Sequence, residues 1–225
     1  MISAIIVAAG KGVRMGGGPD KLFREVAGRP LIAHTWQRFD TLACLDEILL
    51  VTRTETAPAF TALATQLPLR KPWRLVAGGP ERQDSVWNGL CALATDCEIV
   101  VIHDGARPCV APELIAATIE AARETGAAVA AQRVTDTVKE SADGKLVVRT
   151  LDRNRLWAVQ TPQTFRVEII RRALAEVRQR QLLVTDDTAA CELIGQPVRL
   201  VESATPNPKA TLPVDLLLIE RLLLQ

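Results

Sequence analysis

The stretch Ala4-Ile5-Ile6-Val7-Ala8-Ala9-Gly10-Lys11-Gly12-Val13-Arg14-Met15 decides how the rest of the chain reads. Its first five residues are apolar without alternation, the pattern of a strand buried on both faces. That strand runs into the glycine-rich stretch Gly10 to Gly18. A buried strand opening into a glycine loop fits a parallel sheet with its ligand site beyond the carboxyl ends of the strands.

Working outward, apolar runs keep alternating with amphipathic segments. Glu47 to Val51 (EILLV), Arg74 to Val76, Glu98 to His103 (EIVVIH) and Ala127 to Ala131 read as strands. Between them, Ile32, Trp36 and Phe39 share one helical face, as do Val86, Leu90, Leu93 and Ala94. Ala57 to Gln66, Pro112 to Glu124, Val167 to Gln179 and Thr185 to Ile194 complete the helices. Pro213 to Leu224 is apolar nearly all round and is expected to be buried, at an interface. The fold class is α/β: a Rossmann-like, mostly parallel sheet with helices on both faces. Asp136 to Thr150 departs from it, being polar and alternating around the turn signal Ala142-Asp143-Gly144-Lys145. It reads as a projecting β-hairpin arm. A lone hairpin is marginal in water, so it either embraces a partner subunit or folds back on its own domain. No repeat, linker or low-complexity tract interrupts the chain. Residues 1–225 therefore read as a single domain with 136–150 as its arm.

Of the 225 residues, 48% are hydrophobic and 24% charged, enough for a sizeable core. Lys and Arg total 27 against 26 Asp and Glu, a net charge of +1 that argues against broad capture of nucleic acid. Five scattered cysteines without a CxxC predict reduced thiols in a cytoplasmic protein. Ile2 to Ala9 is too short to span a membrane and follows no basic segment, so no membrane association is expected.

Three segments carry candidate chemistry. In the first, a dinucleotide fingerprint would need glycine where Met15 stands, and no GxxxxGK[ST] occurs, so neither motif is supported. Arg14 and Lys21 place two cations on the glycine loop, suited to a triphosphate; a plain tight turn would use the same glycines. The second, Gly78-Gly79-Pro80-Glu81-Arg82-Gln83-Asp84-Ser85-Val86, opens a helix. Its first N–H groups and the Ser85 hydroxyl suit the edge of a base, although Asp84 and Ser85 also suit any first turn. The third, His103-Asp104-Gly105-Ala106-Arg107-Pro108, puts Asp104 at a strand end, where a carboxylate suits Mg²⁺, and Arg107 where it can grip a phosphate. A structural Asp–Arg turn pair is the other reading. His103 reads as a packing residue and His34 as inert. Asp152-Arg153-Asn154, Thr161-Pro162-Gln163, Thr185-Asp186-Asp187 and Lys209 say little singly. No Ser/His/Asp or Cys/His constellation points to covalent catalysis.

Taken together, these segments resemble the 2-C-methyl-D-erythritol 4-phosphate cytidylyltransferases, a nucleotidyltransferase family. The resemblance covers almost the whole chain, through AAGKGVRM (Ala8–Met15), Lys21, GGPERQDSV (Gly78–Val86), HDGARP (His103–Pro108), TDTVK (Thr135–Lys139), DRNRLW (Asp152–Trp157), TPQTF (Thr161–Phe165), TDD (Thr185–Asp187) and NPKAT (Asn207–Thr211). It implies a Mg²⁺-dependent reaction of CTP with methylerythritol phosphate that yields a CDP-alcohol and pyrophosphate. Arg14, Lys21 and Lys209 then match the catalytic cations. Ala8, Ala9, Gly10 and Gly12 match the triphosphate cradle, and Gly79, Asp84 and Ser85 the cytosine-reading part. Arg107, Thr137, Arg153 and Thr161 match the acceptor site, and Asp104 the residue that contacts metal or ribose. The resemblance also implies a homodimer joined by the arm, with Thr137 and Arg153 serving the neighbouring site. Asp20 stands where such proteins more often have proline, which predicts a more mobile approach to Lys21. Gly105 stands where alanine is common. The chain ends at Gln225 without the cyclodiphosphate-forming domain fused to some relatives, so a single transfer is expected. The rival readings are a ribitol 5-phosphate cytidylyltransferase, a nucleotide-sugar synthase using another base, and a non-catalytic nucleotide-binding regulator.

Overall fold

The structure, a computed structural model, describes residues 1–10 and 20–225. In chain order it has β1 (Ile2–Val7), a small ribbon of β2 (Glu25–Val26) and β3 (Arg29–Pro30), α1 (Leu31–Asp40), β4 (Glu47–Thr52) and α2 (Ala57–Ala64). Next come β5 (Trp73–Ala77), α3 (Arg82–Cys91), β6 (Ile99–Asp104), α4 (Pro112–Thr125) and β7 (Ala127–Arg133). The arm strands β8 (Lys139–Glu140) and β9 (Arg149–Thr150) precede β10 (Trp157–Arg166), α5 (Val167–Gln179), α6 (Asp187–Leu193), β11 (Arg199–Glu202) and α7 (Pro213–Leu223).

The main sheet runs β11-β7-β10-β6-β1-β4-β5. All its pairings are parallel except those of β10, which lies antiparallel to both β6 and β7. Successive side chains of a strand point to opposite faces. Ile5, Leu49 and Val51 accordingly pack with Val86, Leu90, Ile170 and Leu174 on one face. Ala4, Ile6, Ile48 and Leu50 pack with Leu31, Ile32, Trp36, Phe39 and Ile115 on the other. Both faces of β1 and β4 are thus dry, which is why those strands read as unbroken apolar runs. Each such Leu or Ile contributes about 1.5–3 kcal/mol by leaving water. α4 stops at Gly126, whose φ of 88° is costly for a residue with a Cβ.

β10 is the main element that periodicity misses. Its Gln160-Thr161-Pro162-Gln163-Thr164 is polar yet mostly buried, because partners satisfy its side chains. Thr164 Oγ donates to Thr118 Oγ at 2.9 Å and Gln163 Nε2 to Asp186 Oδ2 at 3.0 Å. The ladder with β7 shifts register between Val159 and Gln163, so Pro162 breaks no regular pair. Edge strand β11 is missed for a different reason: its side chains are largely exposed.

Two segments stand off the body of the chain. The terminal helix is not buried within the chain: Ile219 is, but Val214, Leu217, Leu218 and Leu224 are exposed. α7 leans on the body by one side, where Glu220 Oε1 accepts from Ala27 N at 3.1 Å, and its other side is exposed. The arm does not fold back: residues 139–150 are all exposed, including Leu146, Val147 and Val148.

Candidate active site

β1, β4 and β6 end side by side, and the cavity lies where the rule for parallel sheets puts it. It measures about 400 Å³ and is lined by Ala8, Ala9 and Gly10 after β1, by Gly79 to Arg82 and Ser85, by Asp104 and Ala106 after β6, and by Lys21, Arg53, Lys209 and Thr211. A larger cavity of about 560 Å³ opens at the other end of β6, around Cys97, Glu98 and Ile99, away from the strand ends that take ligands in such folds.

Backbone contacts shape the mouth. Ala8 N donates to Val51 O at 2.7 Å and Gly78 N to Thr52 O at 2.8 Å, which ties both glycine turns to β4. A Cβ on Gly78 would sit 2.4 Å from Ala9 Cβ, and one on Gly79 would sit 2.3 Å from Asp84 Cβ. The two turns touch, and only glycine allows it. Ser85 Oγ accepts from Gly79 N at 3.1 Å and donates to Glu81 O at 3.2 Å. Asp84 accepts from Glu81 N in a capping box and from Arg178 Nη1 at 3.2 Å. Both side chains therefore brace the turn that opens α3, and Asp84 is absent from the cavity lining.

Asp104 is the electrostatic centre. Lys209 Nζ lies 2.7 Å and Arg107 Nε 3.6 Å from its Oδ2, while Arg82 Nε lies 3.3 Å from its Oδ1. Burial alone would raise the Asp104 pKa, but Arg82, Lys209 and Arg107 outweigh it and hold the carboxyl well below the usual range. Burial lowers the Arg107 pKa, against the pull of Asp104. Besides Lys209, other residues of the 205–212 loop tie it to this centre. Ala210 N donates to Ala106 O at 2.9 Å, Arg107 Nη1 to Asn207 O at 2.7 Å, Asn207 Nδ2 to Thr161 O at 2.8 Å, and Lys21 Nζ to Ala210 O at 3.1 Å. Lys21 and Lys209, far apart in sequence, thus reach one cavity.

Thr161 Oγ accepts from Asp104 N at 3.1 Å and lies 3.1 Å from His103 Nδ1, while His103 Nε2 lies 3.1 Å from Arg107 O. Arg107 O can only accept, so the network assigns the Nε2–H tautomer, with Thr161 donating to Nδ1. His103 does more than pack: it locks Thr161 and the Arg107 backbone behind the site. Its pKa falls to about 4, chiefly through burial.

The remaining expectations divide. Gly12 and Arg14 lie outside the described residues. Thr137 and Arg153 do not line the cavity of their own chain; Arg153 Nη1 donates to Thr135 O at 2.6 Å at the root of the arm. Asp20, expected to loosen the approach to Lys21, instead caps Leu22 N at 3.0 Å and pairs with Arg53 at 2.5 Å. Sequence reasoning also missed Arg82, whose Nη1 lies 2.9 Å from Asp187 Oδ2. The signal was available in its place between the glycine pair and Ser85, but its two carboxylate partners lie on other elements.

The sequence model of the 2-C-methyl-D-erythritol 4-phosphate cytidylyltransferase family matches residues 2–225. Proteins of that description from Pelotomaculum thermopropionicum and Geobacillus kaustophilus are 42% and 44% identical, each over 220 residues. Those alignments cover 97% and 98% of this chain, and 92% and 96% of the two relatives. The crystal structure of the 4-diphosphocytidyl-2C-methyl-D-erythritol synthase from Anaerococcus prevotii superposes with a TM-score of 0.88 at 31% identity, covering 100% of this chain and 98% of the other. The cytidylyltransferase from Thermus thermophilus gives 0.80 at 33% identity, covering 99% and 98%.

Proposed function

The chain belongs to the 2-C-methyl-D-erythritol 4-phosphate cytidylyltransferase family, and from that premise we infer that it transfers CMP from CTP to 2-C-methyl-D-erythritol 4-phosphate. The products are 4-diphosphocytidyl-2-C-methyl-D-erythritol, an isoprenoid precursor, and pyrophosphate. One observation carries the reading: Lys21 and Lys209 enter one cavity beside Asp104 and the Ala8–Gly10 turn.

A phosphate oxygen of the acceptor attacks the α-phosphorus of CTP in line. The new P–O bond forms as the bond to the bridging oxygen breaks, and pyrophosphate leaves with that electron pair. No covalent enzyme intermediate is needed. The backbone at Ala8, Ala9 and Gly10 cradles the triphosphate, and Gly79 with the Ser85-braced turn meets cytosine. Lys21 and Lys209 stabilise the crowded anionic phosphorus, because preorganised charge works best where charge accumulates. Arg14 joins them, and Gly12 the cradle, on the strength of the family resemblance. Arg107 and Thr161 belong to the acceptor site on the family resemblance; here Arg107 pairs with Asp104, the Thr161 hydroxyl is taken up by Asp104 N and His103, and neither lines the cavity.

Among the described residues no cluster of three metal-ligating side chains occurs, and the cavity lining holds two carboxylates, exposed Glu81 and buried Asp104, of which Asp104 pairs with Arg82 and Lys209. This donor set fits Mg²⁺ that arrives on the triphosphate and takes one protein carboxylate. When bound, the ion would draw charge from the phosphate oxygens.

The exposed arm, with Leu146, Val147 and Val148 bare, supports a homodimer of single-domain chains in which Thr137 and Arg153 complete the neighbour's site. Five free cysteines support a cytoplasmic location, and no helix among the described residues is long and apolar enough to cross a membrane.

The test is pyrophosphate release with CTP and Mg²⁺, comparing methylerythritol phosphate with ribitol phosphate. Preference for ribitol phosphate would reassign the acceptor, and no release with either would favour a regulator. Lys21→Ala and Lys209→Ala should each lower kcat by about 10²–10³, far more than they weaken CTP binding. For the dimer, chains bearing Arg153→Ala and Lys21→Ala are mixed. Recovered activity is expected, because one site of each heterodimer is intact; proven heterodimers without recovery would refute the shared site.

A further inference from the structure

Arg82 is the first residue of α3 and belongs to neither the phosphate cradle nor the expected acceptor site. Its guanidinium nevertheless joins two buried carboxylates from different elements: Nε meets Asp104 Oδ1 at 3.3 Å and Nη1 meets Asp187 Oδ2 at 2.9 Å. Asp187 is fully buried in the first turn of α6, with no other cation paired to it among the described residues. Gln163 fixes that turn, accepting from Asp187 N at 3.0 Å and donating to Asp186 at 3.0 Å. The result is a rigid bracket running from β10 through α6 to Arg82. Burial alone would lower the Arg82 pKa, but Asp187 and Asp104 raise it, so the charge is permanent.

The consequence concerns Lys209. Its ammonium pairs with Asp104 Oδ2, whereas its role in transfer is toward phosphate. A carboxylate free to rotate would offer Lys209 both oxygens and hold it back. We propose that Arg82, gripped by Asp187, is a positioning residue that claims one oxygen of Asp104, so that Lys209 is held by the other alone and remains available to the triphosphate. The inference rests on the cytidylyl-transfer reading. Through this bracket α6, outside the cavity, sets the poise of Lys209.

The experiment measures kcat and the KM for CTP of Arg82→Gln and Asp187→Asn, alone and combined with Lys209→Ala, using enzyme whose folded fraction is established by thermal unfolding. Arg82→Gln should lower kcat about a hundredfold and Asp187→Asn about tenfold, the scale of a misplaced catalytic group, with KM within about threefold of wild type. Added to Lys209→Ala, neither should lower kcat appreciably further, because both act through that lysine. A purely structural bracket would lower stability but leave kcat per folded enzyme unchanged, or would multiply with Lys209→Ala; either result overturns the proposal. If Arg82→Gln does not fold, Asp187→Asn, which keeps the side-chain shape, decides by the same criteria. Wild-type protein assayed alongside separates the two claims. No wild-type turnover sinks the transfer reading and this inference with it, whereas active wild type with unaltered variants sinks the inference alone.

Discussion

Asp104→Asn keeps the shape of the side chain and removes the negative charge that Arg82, Arg107 and Lys209 share. The loss is uneven. Lys209, with 34% of its side chain exposed, can turn to water, but Arg107 at 13% and Arg82 at 27% are more confined. Arg82 also keeps Asp187, so Arg107 is the cation left with the least compensation. Removing one partner of a buried pair costs about 3–5 kcal/mol. With a urea m-value of about 2–3 kcal/mol/M, the unfolding midpoint should drop by about 1–2.5 M at unchanged slope. Pyrophosphate should restore the variant more than it stabilises wild type, because the uncompensated cations favour an anion that binds only the folded state. Urea titrations with and without pyrophosphate, followed by circular dichroism, measure both effects. An unshifted midpoint, or an equal response to pyrophosphate, would refute the view of Asp104 as the counter-charge of the site.

Three further outcomes are expected. His103 is neutral when folded, with a pKa of about 4 against 6.5 when unfolded. The unfolded chain therefore takes up a proton first, and stability falls as pH drops from about 6.5 to about 4, by about 3 kcal/mol in all. His103→Gln should flatten that slope in denaturation curves at pH 7 and 4.5; an unchanged slope would clear His103. Gly78→Ala forces a Cβ into Ala9 and crowds Ser85, so it should raise the KM for CTP at least several-fold by displacing the cradle, whereas a wild-type KM would show that the turns need not touch. In native protein, Cys44 and Cys91 are exposed and should react quickly with a thiol reagent, whereas buried Cys97 and Cys191 should not. Burial also pushes Cys191 up to about 12. Rapid labelling of all four would mean that the core opens readily.

The amino-acid sequence by itself determined the architecture wherever burial is two-sided. β1, β4 and β6 read as apolar runs because both faces of the sheet are covered there by other apolar side chains, and glycine marks the turns because neighbouring atoms approach too closely for a Cβ. The rule of strand ends then pointed to the Gly10–Gly18 loop, the Gly78-Gly79 turn and the Asp104 turn as walls of one crevice, and among the described residues Gly10, Gly79 and Asp104 line it. Only the tertiary structure decided what depends on distant partners. β10 hides in the sequence because its buried Thr161, Gln163 and Thr164 are tolerable only when other elements meet their hydrogen bonds. Arg82 looks like an ordinary first-turn residue until β6 and α6 bring Asp104 and Asp187 to it. Periodicity records which side of a segment faces away from water; it carries no record of which charge waits there.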